Sequence, residues 1–563
     1  MVHLALLQIP SLLGVVVTKA PPSPLVWNDQ VKAAWTQAYQ SAAPSVLGRY
    51  EINDIEGAIP EDLTGTIWRN GPGNFERGGE RYKHVLDGDG LIARFTLDGA
   101  SNRATYSGKF VNTPWFAAET EADAVLHRNT FGTQPEGVTN NAFDLTLKNP
   151  ANTNIQAWGG KTLALWEAAL PCKINPVTLD YEGAETFDGL LPSGQLTVTS
   201  GLGDEVDRAI GLGVAFTAHP REDRKRQRMC GWSWAAPLTG ERLAVAISEF
   251  DVASGEVLHT TKTTLPSRVA PHDFAITDSW YVFVLNAMEL KLMPYVLGLT
   301  GPVGALCTSG EGVKLKLVPR PDGAMAGREP VTIETDDPYF AIHHAAALEE
   351  TPDLLHIYTA AWPSVGKGPF LGDWGGDVPL YDDGKISPTQ LLHTTVRVEA
   401  PGGPSAERRV AVEACIDHPH CDPRFEGDPR VRFLFMSYCN DEGVSGSPPV
   451  GWARYDRQTG DLRVWRAPPR TFCEEVVVIP KAKAGLRADA AAEDDAEVWV
   501  AAMMFDADRG RSALAILDGA DIESGPVAKL WCNGVVPHGL HGCYVPEVFD
   551  SFEDASGDGA PSE

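Results

Sequence analysis

Four short histidine-bearing stretches stand out by residue type: His219 in FTAHPRED, His272 in PHDF, His343 in FAIHHAAALEE and His541 in PHGLHGCYVPE. Each lies beside an apolar, strand-like run. His272, for instance, precedes the run Trp280 to Leu285, with a Thr277-Asp278-Ser279 turn between them. A single histidine at a strand start is ordinarily a hydrogen-bonded structural residue. Four in matching settings suit one metal centre, because imidazole binds first-row metals such as iron, copper and zinc. Four neutral imidazoles leave the full 2+ charge on such a metal, so carboxylates that accept the remaining ring N–H groups are expected nearby. Glu167 in LALWEAAL, Asp417 in ACIDHPH and Glu475 in FCEEVVVIP are the candidates. An acid flanked by apolar residues is costly to bury without a partner. The competing readings are a strand-edge surface residue for Glu475 and a turn cap for Asp417. His344, His418, His420 and His538 sit beside these positions and compete for the same role.

Other chemistries find no support. There is no GxSxG elbow, so serine hydrolysis lacks its nucleophile. GLGDEV and GLGVAF stop short of a dinucleotide fingerprint, and no Walker loop is present. Asp87-Gly88-Asp89-Gly90 lacks the remaining ligands of a calcium loop and reads as a hairpin turn.

Composition narrows the partners. The net charge is −28, so nucleic acid is excluded as a partner, since phosphate binding needs a basic face. The densest basic run, Arg221 to Arg228, also holds Glu222 and Asp223 and reads as a solvated loop. Nine cysteines without a CxxC pair argue against a disulfide framework and a structural zinc module, and suit a reducing compartment.

The elements that must position the histidines are strands. After one helical pattern in residues 28–48 (Val31, Ala34, Trp35, Ala38, Tyr39), short apolar runs alternate with Gly, Asp, Asn and Pro clusters almost to the end. The chain is therefore all-β. RFTLDGASNRATY, KINPVTLDYEG, EFDVASGEVLH, RYDRQTGDLRVW and LDGADIESGPVAKLW share one hairpin form. Recurrent strand units over this length suggest a β-propeller, whose inner strands bring distant residues to one axis. Two β-sandwich domains are the alternative, and would keep His219 and His541 apart. Residues 1–26 read as a leader or an unordered start, 27–547 as one domain, and 548–563 as an acidic disordered tail. Leu290 to Leu306 is apolar but broken by Pro294, Gly298, Gly301 and Pro302. It is either buried or an exposed patch dipping into a bilayer. Lys481 to Glu497 reads as a surface insertion.

Several of these stretches resemble the carotenoid cleavage oxygenases. GTIWRNGPGNFERGG followed by HVLDGDGLIARF is similar to that family's N-terminal signature. The likeness continues in family order through LKNPANTNIQAWGGKTLALWEAALP, TAHPRED, PHDFAITDSWYVF, IHHAAALEE and PHGLHG, from about residue 30 to 547. The wording is most similar to the apocarotenoid-cleaving branch of cyanobacteria and algae. The resemblance implies a seven-bladed propeller capped by a helical and loop dome. It implies Fe(2+) held by His219, His272, His343 and His541, with Glu167, Asp417 and Glu475 behind them. It places Thr153 near the vacant side of the iron. The four neighbouring histidines become non-ligands, since adjacent residues on a strand point to opposite faces.

The implied reaction is dioxygenase cleavage of a conjugated C=C bond of a carotenoid or apocarotenoid by O2, at the 15,15' position, giving a retinal-type aldehyde. Stilbene cleavage, a lyase resembling the retinoid isomerohydrolase, and a non-catalytic lipid-binding propeller are the alternatives. The resemblance also moves Leu290 to Leu306 towards peripheral membrane contact, with localisation left between plastid and cytoplasm. Three positions depart from the family pattern: Asp417 where Glu is usual, Ala346 where Asn is usual, and Leu540 where Phe is usual. At Asp417 the shorter carboxylate must reach its histidine directly or use a water.

Overall fold

A computed structural model describes residues 28–194, 196–237, 241–363, 387–441, 446–482 and 496–549. Residues 1–26, expected to be a leader or an unordered start, nearly all of the expected acidic tail and residues 483–495 of the expected surface insertion lie outside these.

Among the described residues, seven mainly antiparallel sheets succeed one another along the chain, and each forms one blade of a β-propeller. Blade 1 is ordered Gly48–Glu51, Arg103–Phe110, Asp89–Asp98, Thr64–Asn74, Gly542–Val545. Its innermost strand thus comes from the far end of the chain. Ile55–Gly57 in turn adds to the outer edge of blade 7 against Pro526–Trp531. The ring is closed twice, once by a strand from each end of the described chain. Gly542 is required at this seam, because a Cβ there would lie 2.0 Å from the Trp68 carbonyl oxygen.

Each of the seven gaps between neighbouring blades is filled by its own apolar cluster. Trp68, Ile92, Ile155 and Ala164 fill the gap between blades 1 and 2, and Val282, Leu315, Leu355 and Ile357 that between blades 4 and 5. Middle strands are buried on both faces, which is why Trp280–Leu285 and Phe433–Asn440 read as apolar runs rather than alternations. Outer strands such as Val257–Leu265 alternate exposed and half-buried residues. The five hairpins read from the sequence fall in blades 1, 2, 3, 6 and 7, one in each.

The dome begins with helix Asp29–Gln37. The Asn28 side chain caps it, accepting from the Gln30 and Val31 amides at 3.0 Å, and Val31, Ala34 and Trp35 are buried beneath. Two sequence expectations fail here. Asp87 to Gly90 is not a hairpin turn: Asp87 closes a short 3-10 turn and Asp89 starts a strand, both buried. Asp87 accepts from the Phe131 and Thr133 amides at 2.9 and 3.0 Å, and Asp89 pairs with Arg77 and Lys148. Buried carboxylates need such partners, and here the partners anchor the dome loops. Arg221 to Arg228 is not a solvated loop either. Arg221–Asp223 is an inner-strand segment of blade 3, and Arg221, Arg226 and Arg228 all form ion pairs.

Candidate metal centre

The inner strands of the blades deliver the chemistry to the axis. His219 stands between the two short segments of blade 3's inner strand, Ala215–Phe216 and Arg221–Asp223. The break falls at Pro220, which has no N–H to give the ladder. His272 lies just before Phe274–Ile276 of blade 4, and His541 just before Gly542–Val545 of blade 1. His343 lies within Phe340–Thr351 of blade 5, beside two register shifts. One nitrogen from each of these four rings lies within 4.8 Å of those of the other three. Nε2 of His272 is 3.0 Å from Nε2 of His219 and 3.3 Å from Nε2 of His343.

Three of the rings are backed by carboxylates. His272 Nδ1 donates to Glu167 Oε2, His343 Nδ1 to Asp417 Oδ1 at 2.8 Å, and His541 Nδ1 to Glu475 Oε1 at 2.7 Å. Asp417 therefore reaches His343 directly, without a bridging water. It stands on Cys415–His420 of blade 6 at a register shift, and also accepts from the His418 amide at 2.7 Å. Glu475 stands at a shift in Thr471–Pro480 of blade 7, is 3% exposed, and so is no surface residue. It also takes His420 Nε2 at 2.8 Å, Arg69 Nη1 at 2.7 Å and the Gly542 amide at 3.1 Å. His219 has no carboxylate partner among the described residues.

These contacts set the protonation of the groups. Burial alone would raise the Glu475 carboxyl, but the imidazoles of His541 and His420 hold it well below the usual carboxylate range. Burial likewise opposes the charge on Glu167 and is outweighed by His272. Burial and the neighbouring rings push His541 down to about 4 and His219 well below its usual value. With Nδ1 of three rings committed to carboxylates, their Nε2 lone pairs face one another. That donor set fits a divalent first-row cation, and the three anions offset its charge.

Two cavities meet here. An apolar one of about 270 Å3 is walled by Trp35, Phe131, Trp166, Phe340 and Trp362, and reaches His272, His343 and His541. Thr153, which is 8% exposed, and Leu540 also line it. The Leu540 departure therefore changes the cavity wall. Ala346 lies instead in the core between blades 5 and 6. The second cavity, of about 680 Å3, lies on the other side of the centre. It is lined by more charged groups, Arg221, Glu222 and Glu475 among them.

Of the competing histidines, His344 donates or accepts through Nδ1 at Thr359 Oγ1, 2.8 Å away, and His538 packs on Trp35. Sequence reasoning missed a brace beside the ligands. Arg221 pairs with Asp273 and donates to the carbonyls of Phe274 at 2.8 Å and His344 at 2.9 Å. Asp273 accepts from the amides of Phe274 and His344, both at 2.7 Å. One ion pair, buried at its Asp273 end, thus ties together the three segments that carry His219, His272 and His343.

The family described as retinal pigment epithelial membrane protein matches residues 43–546. The apocarotenoid-15,15'-oxygenase of Synechocystis sp. is 31% identical over 541 residues, covering 94% of this chain and 99% of that protein. The chloroplastic carotenoid cleavage dioxygenase 7 of Oryza sativa subsp. japonica is 25% identical, covering 92% and 93%. Isoeugenol monooxygenase of Pseudomonas nitroreducens is 24% identical, covering 88% and 94%. Among solved structures, the cobalt-substituted Synechocystis apocarotenoid oxygenase superposes with a TM-score of 0.78 at 29% identity, covering 91% of this chain and 98% of that one. The chain belongs to the family of the retinal pigment epithelial membrane protein and the carotenoid cleavage oxygenases.

Proposed function

We propose that this protein is an Fe(II)-dependent dioxygenase that cleaves one conjugated C=C bond of an apocarotenoid, at the 15,15' position, to give a retinal-type aldehyde. The observation that carries this reading is the convergence of four imidazoles, three of them carboxylate-backed, at the inner end of an apolar cavity. His219, His272, His343 and His541 would hold the iron, and Glu167, Asp417 and Glu475 keep Nδ1 of His272, His343 and His541 protonated and those three rings aimed. Bound there, Fe(II) would supply the redox chemistry that activates O2, which protein side chains lack. The chain's own share is placement. Aromatic walls exclude water and hold a rigid polyene with one double bond beside the centre, and Thr153 lines the same cavity. One C=C bond and one O2 are consumed, and two C=O groups form.

The membrane-facing part of the reading rests on a patch at the cavity rim. Leu290 to Leu306 is not buried as a whole: Met293 is 62% and Leu299 60% exposed, while Val303 and Leu306 line the apolar cavity. Phe143, 77% exposed, joins it through its backbone N–H, which donates to the Val296 carbonyl at 2.7 Å. An apolar substrate partitions into lipid, so an apolar rim continuous with the cavity suits peripheral contact with a bilayer. Among the described residues no helix is long and apolar enough to cross a membrane.

The test is anaerobically purified, Fe(II)-loaded protein given an apocarotenal under 18O2, with products read by mass spectrometry. Two aldehydes, each carrying one heavy oxygen, are expected. Iron-loaded protein that cleaves no apocarotenal but cleaves a stilbene would move the substrate class. Products without heavy oxygen would overturn the dioxygenase reading.

A further inference from the structure

His418 carries three features that ordinary packing does not call for. It is a non-glycine residue in the left-handed region, at φ +48°. It sits in the register shift between Asp417 and His420, which turns its side chain towards the axis. Its Nδ1 is buried with no hydrogen-bond partner. Both the strained backbone and the unpaired buried nitrogen cost stability, and costs of this kind collect where a site has a use for them. Its position says what that use is. The His418 ring lies 4.6 Å from the ring of His343 and 5.2 Å from that of His541, so it touches two of the four converging imidazoles. It also lines both cavities, and so stands at the junction between the apolar chamber and the polar channel. The other three neighbouring histidines are spoken for: His344 by Thr359, His420 by Glu475, and His538 by packing on Trp35.

A polyene offers no hydrogen-bonding atom at its reacting bond. An oxygen acceptor appears there only after cleavage, when each half ends in a carbonyl. We propose that His418 is a substrate-contacting residue that recognises the carbonyl oxygen of the conjugated aldehyde at the centre, donating an imidazole N–H to it and so distinguishing product from uncleaved polyene. This rests on the aldehyde-forming reading above. No bond is made or broken by His418; it acts as a neutral donor.

The test compares wild type with His418→Phe, which keeps an aromatic ring but no N–H, and with His418→Asn, which tolerates the left-handed backbone and keeps an N–H donor. Each is Fe(II)-loaded, checked for metal content, and titrated without O2 with retinal and with the hydrocarbon of the same polyene length. Wild type is expected to bind retinal about threefold to tenfold more tightly than His418→Phe, the worth of one neutral hydrogen bond. The hydrocarbon should bind both alike. The absorption band of bound retinal should lie to the red in wild type and shift back in His418→Phe, with His418→Asn between them. Should His418→Phe lose its iron, the wild-type and His418→Asn spectra are compared with free retinal instead, and a red shift in both is expected. Equal retinal affinity and an unshifted band across the three proteins would overturn the proposal while leaving the cleavage reading intact. Failure of all three proteins to bind either ligand, with no aldehyde formed by wild type in O2, would overturn both.

Discussion

A carboxylate one methylene shorter than the family pattern still finds its imidazole. Asp417 Oδ1 is 2.8 Å from His343 Nδ1, because the register shift at Asp417 carries its backbone towards the axis. The carboxyl is held far below its ordinary value: burial opposes the charge, but His418 and His343 more than compensate. Asp417→Asn should therefore weaken metal affinity by about 10- to 100-fold, the usual worth of such a partner, while the chain stays folded. Competition with a chelator of known affinity measures it, and an unchanged constant would remove Asp417 from the centre. At this scale the sequence was informative, since a histidine or an acid in apolar surroundings must have a partner. It was less so for Arg221. Arginine beside Glu222, Asp223 and Arg224 looks solvated, and only the fold shows that its guanidinium closes against Asp273.

The elements explain both what was legible and what was not. Strand texture and five hairpins could be read directly, because Asp, Asn and Gly punctuate them. Blades 4 and 5 escaped that reading. The outer pair of blade 4, Lys314–Pro319 and Val331–Glu334, is joined by a long connection, and that of blade 5 by a different turn sequence. The site residues evade periodicity for a related reason. His219, His272, His541, Thr153 and Glu167 lie just beyond strand ends, and His343, Asp417 and Glu475 lie at register shifts. Bulges and strand ends re-aim side chains, so a two-residue alternation does not predict where they point. The Arg221–Asp273 brace acts at this scale by fixing three strands relative to one another. Arg221→Ala leaves the Asp273 carboxylate buried and unpaired, and should cost about 3 kcal/mol of stability and lower metal occupancy. Arg221→Lys restores the charge but not the forked reach to two carbonyls, so denaturant unfolding should place it between wild type and Arg221→Ala. Equal stability of all three would show that the brace is not needed.

On the scale of the whole molecule, the ring is what lets four distant histidines meet. A two-sandwich arrangement would have separated His219 from His541, whose ring centroids are in fact 4.5 Å apart. Closure by both ends makes the centre depend on the complete circle, since the seam strand Gly542–Val545 directly follows His541. The same burial that stabilises the blades suppresses protonation of histidines away from the axis. His393, 6% exposed on blade 5, is pushed down to about 3 by burial and by Arg409 beside it. Its folded value lies below the unfolded 6.5, so between those values the unfolded chain binds the extra proton. Stability should fall as pH drops below 6.5, at up to about 1.4 kcal/mol per pH unit from this residue. His393→Gln should flatten that part of a stability-against-pH curve, and an identical slope would assign the pH dependence elsewhere.

The central claim is that one iron sits on the propeller axis, held by His219, His272, His343 and His541. Iron content with X-ray absorption at the iron edge, on wild type and on His272→Ala, tests it most directly. The account predicts one Fe(II) per wild-type chain with the scattering pattern of imidazole ligands, and loss or marked weakening of both in His272→Ala. A wild-type chain that takes up no iron, or a His272→Ala chain with the same iron content and the same imidazole shell, would contradict it.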